Sequence, residues 1–116
     1  HNTVLLTNDP TAHAEINVIR DASQKLSSPH LKGAVLYTNF EPCPMCLAAI
    51  YWAGIERVYF SSERQVAEKA GFMDNQLYLE MGVELNKRSV PCLQIKVEEM
   101  SSLLDEWDEK EDRTLY

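Results

Sequence analysis

The stretch AVLYTNF, residues 34–40, runs without a break into EPCPMCLAAIYWAG, residues 41–54, and then into IERVYFSS, residues 55–62. The first and third segments are β-branched and aromatic, the composition of short buried strands. The middle segment opens with two prolines, continues with alanine and leucine, and stops at Gly54. That order predicts a buried helix starting near Pro44 and ending at a glycine C-cap. A strand, a helix and a second strand in succession specify parallel neighbours in an α/β layered domain.

The flanking segments extend the alternation. TNDPTAHAEINVIRDASQKL, residues 7–26, predicts a helix with Asp9 as N-cap and Pro10 at the first helical position. Ala12, Ile16, Ile19, Ala22 and Leu26 recur at helical spacing and give it one buried stripe. Downstream, ERQVAEKAG reads as a helix, NQLYLEMGV as a helical turn or two, CLQIKVEE as a strand and SSLLDEWDEKE as a terminal helix with serine caps. No linker, repeat or low-complexity tract divides the 116 residues, so residues 1–116 are expected to form a single domain.

The net charge of −7, from 11 Lys and Arg against 18 Asp and Glu, disfavours a nucleic-acid partner, whose phosphates call for a basic surface. The acidic crowd near the C-terminus reads as a solvated helix face. No apolar run approaches the roughly 18 residues that cross a bilayer, and no basic start leads into an apolar stretch. A cytoplasmic protein without membrane association is the expectation. Three cysteines, two of them close together in PCPMC, do not make a disulfide framework and raise a metal site or a redox pair instead. His30 is expected to face solvent, and Cys92 to be a buried strand residue.

His13, Glu15, Cys43 and Cys46 all fall in the first turns of predicted helices, where unpaired N–H groups favour thiolates and developing negative charge. The Cys-x2-Cys spacing lets both sulfurs reach one tetrahedral ion, and the His13 imidazole brings the protein ligands to three. Three ligands leave a position for water, whose pKa a bound zinc lowers to about 7. Glu15, close to a ligand without being one, is placed to shuttle protons between that water and a leaving nitrogen. Two other readings compete: a zinc-stabilised interaction domain with a fourth protein ligand, and a dithiol protein in which Cys43 and Cys46 form a reversible disulfide.

HAE followed by PCPMC resembles the H-x-E…P-C-x-x-C signature of the zinc-dependent cytidine deaminase superfamily. The resemblance implies a three-layer α/β/α sandwich around a mixed, mainly parallel sheet, with one zinc held by His13, Cys43 and Cys46 and with Glu15 as general acid/base. NDPTAHAE, EPCPMCLAAIYWAG, AGFMDNQLY and the terminal LY look most like the bacterial guanine deaminase branch; the first two are shared with tRNA adenosine deaminases. That branch implies hydrolysis of guanine to xanthine and ammonia in purine catabolism or salvage. The same chemistry on guanosine, another purine or adenosine in tRNA is the alternative. By the same resemblance Asn2, Ala14, Asp74 and Tyr116 contact the purine, Trp52 contributes a pocket wall, and the terminal tyrosine comes from the other subunit of a homodimer by exchange of the C-terminal segment. Family members usually carry a helix and two strands ahead of the asparagine matched by Asn2, elements that residues 1–116 are expected not to include.

Overall fold

The computed structural model describes residues 1–97 and 99–114, with Ser101 described by its backbone alone. The chain forms two compact units, His1–Gly82 and Val83–Tyr116. Among the described residues no helix is long and apolar enough to cross a membrane.

The first unit contains the expected strand, helix and strand. β1 (Val35–Phe40) pairs in parallel with β2 (Arg57–Ser62), Leu36 opposite Val58 and Thr38 opposite Phe60. A parallel pair needs a crossover, and α3 (Pro44–Trp52) supplies it. Gly54 ends this helix at φ 64°, where its N–H bonds the Tyr51 carbonyl and the Ile55 N–H bonds the Ile50 carbonyl. This double closure is the glycine cap expected from the sequence.

The helix ahead of β1 begins later than expected. α2 spans Ala14–Leu26, with His13 as its N-cap residue. Asp9 does not cap it: the carboxylate accepts from the Thr11 N–H at 2.8 Å and from the Thr11 hydroxyl at 2.7 Å, which closes a local turn through Pro10. Residues 9–12 are therefore an entry loop. Ala12 and Ile16 are buried as the spacing requires, while Leu26, at the far end of the stripe, is exposed. A one-turn helix that the sequence did not announce, α1 (Val4–Thr7), precedes this loop. α4 (Arg64–Lys69) and α5 (Asp74–Met81) follow β2. Ile16, Cys43 and Cys46 form one buried cluster, and Met45 and Ala49 pack against it, so the two cysteines belong to the core.

The second unit departs further. Residues 91–97 are irregular where a strand was expected, because the alternating Leu93, Ile95 and Val97 find no ladder among the described residues of this unit, and all three are exposed. Cys92 is exposed rather than buried, with its thiol donating to the Val90 carbonyl at 3.8 Å. α6 runs from Glu99 to Glu109, so Ser102 lies within its first turn. The Ser102 hydroxyl donates to the Glu99 carbonyl at 2.8 Å instead of capping the helix.

Candidate active site

His13 and Cys43 are the N-cap residues of α2 and α3, both extended, with ψ of 158° and 166°. Glu15 is the second residue of α2 and Cys46 the third of α3. The two helix starts thus bring all four side chains together. His13 Nδ1 lies 3.7 Å from Cys43 Sγ and 3.6 Å from Cys46 Sγ. Bonds of about 2.3 Å to sulfur and about 2.0 Å to nitrogen in a tetrahedron place N and S about 3.5 Å apart, so both nitrogen–sulfur separations are already close to those of a zinc site.

Among the described residues, His13, Cys43 and Cys46 form the one group of His, Cys, Asp and Glu whose ligand atoms converge, all within 4.8 Å of one another. Glu15 is outside that set but touches it, with Oε2 3.6 Å from Cys46 Sγ. The arrangement is that of a three-ligand site with a carboxylate beside it.

The two thiols behave differently. A hydrogen bond from Cys46 holds Cys43 down to about 6, against the opposing effect of burial, and His13 adds to the lowering. Cys46 is pushed up by the same hydrogen bond, by burial and by the Glu15 carboxylate. Cys43 is therefore the first of the pair to yield a thiolate, and a metal must displace the remaining proton from Cys46.

Asp74, the first residue of α5, is half-buried. Burial raises its pKa, and it feels both the His13 imidazole and the Glu15 carboxylate, which places it in the electrostatic reach of the cluster. Ala14 opens α2 between His13 and Glu15; its N–H belongs to the first turn, which has no acceptor within the helix. Asn2 is exposed, with Oδ1 accepting from the Val4 N–H at 2.9 Å. Trp52 ends α3 with 69% of its surface exposed, six residues and about 9 Å along the axis from Cys46. Tyr116 lies outside the described residues. His30 is exposed, as expected.

Three supporting side chains were not foreseen. Thr38 donates to Glu15 Oε1 at 3.0 Å; on an alternating strand it shares a face with buried Leu36, and an inward polar residue was the available signal. Asn17 Nδ2 reaches the His1 carbonyl at 2.9 Å, Thr3 Oγ1 at 2.9 Å and the Ala12 carbonyl at 3.2 Å, which ties the segment carrying Asn2 to α2. Tyr78 of α5 donates its hydroxyl to the Pro42 carbonyl at 2.7 Å, immediately before Cys43. Its ring lies under the Arg64 guanidinium at 4.5 Å, and Arg64 pairs with Glu41 at 3.2 Å.

The cytidine and deoxycytidylate deaminase zinc-binding region matches residues 1–62, just over half the chain. The chain belongs to this family. The guanine deaminase of Bacillus subtilis is 42% identical over 106 residues, covering 91% of this chain and 68% of that protein. A tRNA-specific adenosine deaminase of Aquifex aeolicus is 37% identical over 110 residues, covering 95% of this chain and 70% of that protein. The X-ray structure of the Bacillus subtilis guanine deaminase superposes with a TM-score of 0.94 at 40% identity, covering 99% of this chain and 73% of that one. The fold is the α/β fold of the deaminases, the parallel pair β1 and β2 forming its sheet among the described residues. The cofactor of this family region is zinc, and the His13, Cys43 and Cys46 cluster is the group able to hold it.

Proposed function

We propose that the protein is a guanine aminohydrolase, acting as one deaminase domain over residues 1–116, that converts guanine and water to xanthine and ammonia. The observation that carries this reading is the carboxylate of Glu15 beside, and not within, a converging set of three ligands. Zinc held by His13, Cys43 and Cys46 would supply Lewis acidity and ionise a water at neutral pH. Glu15 is the residue placed to take a proton from the attacking water and to deliver it to the departing amine. Asp74 accepts from the N–H groups of the purine edge, Asn2 and the Ala14 N–H hold the base, and Trp52 and Tyr116 complete the pocket. Likeness to the guanine deaminase over nine-tenths of the chain supports the choice of base, and so does the charge of −7, which suits a small substrate better than tRNA. The protein works in the cytoplasm as a homodimer with exchanged C-terminal segments.

Ammonia release by the zinc-loaded protein from guanine, guanosine, adenine and cytosine in parallel tests this reading. Release from guanine is expected, and release from guanosine alone would move the pocket while keeping the chemistry. Glu15→Ala should keep one zinc per chain and lose about 10²- to 10⁴-fold in kcat. Full activity in that variant would remove Glu15 from the proton path.

A further inference from the structure

The hydrogen bond between Thr38 and Glu15 crosses from β1 to α2 and has no part in the chemistry described so far. Glu15 reaches its place on a flexible side chain from the second position of a helix. Thr38 has the opposite character. It stands in a strand whose backbone is fixed by pairing with β2, opposite Phe60, and its β-branched side chain is stiff at χ1. Its hydroxyl donates to Oε1 at 3.0 Å, while Oε2 lies against Cys46 at 3.6 Å. One carboxylate oxygen is thus tied to the sheet and the other turned toward the ligand cluster.

We propose that Thr38 is a positioning residue for the proton shuttle: it anchors Oε1 of Glu15 so that Oε2 is the oxygen that exchanges protons at the reaction centre. This rests on the hydrolytic role given to Glu15. Without the donor, the carboxylate can rotate, and the fraction of time that it faces the reacting atoms falls. Ligand binding to the rest of the pocket is untouched, so the loss belongs to kcat and not to KM.

The test compares zinc-loaded wild type, Thr38→Val, which keeps the branched shape and removes the donor, and Thr38→Ser, which keeps the donor and removes the methyl. Thr38→Val should retain one zinc per chain, hold KM for guanine within about twofold and lose about tenfold or more in kcat. Thr38→Ser should restore kcat to within about threefold of wild type. Crystal structures of the zinc-loaded proteins should show one Glu15 orientation in wild type and Thr38→Ser, and a rotated or split carboxylate in Thr38→Val. Wild-type kcat in Thr38→Val, loss of zinc together with activity, or failure of serine to rescue would each overturn the proposal. If wild type proves silent on guanine, the substrate reading fails, and the Glu15 orientation in the crystals decides the role of Thr38 alone: an unmoved carboxylate in Thr38→Val refutes it.

Discussion

Replacing Tyr78 by phenylalanine removes one oxygen and little else, which makes it a sharp probe of how the cysteine loop is held. The Pro42 carbonyl that Tyr78 binds at 2.7 Å precedes the N-cap of α3, whose ladder begins with the Leu47 N–H on the Cys43 carbonyl, so it lies outside the helical hydrogen bonds. Pro42 is buried, and water is a poor substitute donor there. A buried acceptor stripped of its partner costs about 1–3 kcal/mol, equivalent to about 5- to 150-fold in the folding equilibrium. The phenylalanine ring preserves the stacking under Arg64, so the loss isolates the hydrogen bond. Burial also pushes the Tyr78 phenol above its ordinary value, so the donor is present throughout the neutral range. Urea unfolding followed by far-UV circular dichroism should show the midpoint falling by about 1 M at an unchanged slope. Because the next residue, Cys43, belongs to the cluster able to hold zinc, zinc affinity, measured by competition with a chelating dye, should also fall by about tenfold. A midpoint within about 0.2 M of wild type would refute the reasoning, since it would mean that the carbonyl is satisfied without Tyr78.

Two further outcomes follow from the site. Cys46→Ala should abolish stoichiometric zinc binding, and with it the zinc-dependent rise in thermal midpoint, worth about 2.7 kcal/mol for wild type at a hundredfold excess of zinc over Kd; metal analysis and calorimetry check both. Burial raises the Asp74 carboxyl, so it becomes protonated and loses its acceptor role at a higher pH than an exposed aspartate does. The kcat/KM for guanine should accordingly fall on the acid side as pH drops through that raised value. Asp74→Ala should remove that limb while keeping zinc and cost about 10- to 100-fold in kcat/KM at neutral pH; unchanged guanine kinetics would take Asp74 out of the pocket.

The metal cluster was legible in the sequence because Cys43 and Cys46 share one helical turn and because His13 and Cys43 each stand at the start of a helix. β1, α3 and β2 were legible for a related reason: proline, glycine and β-branched residues act locally. Asp9 misled because its carboxylate could serve either a helix or a turn, and the neighbouring Thr11 hydroxyl decided for the turn. The segment after Pro91 alternates like a strand, but alternation states only which side chains share a face and not whether a partner backbone is present. Thr38, Asn17 and Tyr78 act across 23, up to 16 and 36 residues respectively, and no spacing rule reaches that far.

The hydrogen bond that Asn2 accepts from the Val4 N–H has a consequence for ligand polarity. An amide oxygen must be the atom facing the Val4 N–H, so the orientation of the Asn2 side chain is fixed by that bond. With one Oδ1 lone pair engaged by the backbone, the two Nδ2 protons are the donors left to the side chain, and they favour a base that presents an acceptor such as a ring nitrogen or a carbonyl oxygen. Asp74, when ionised, can only accept. A heterocycle bridging the two would therefore be favoured with its acceptor edge toward Asn2 and its donor edge toward Asp74, and a base that turned acceptors toward Asp74 would leave that carboxylate unmatched.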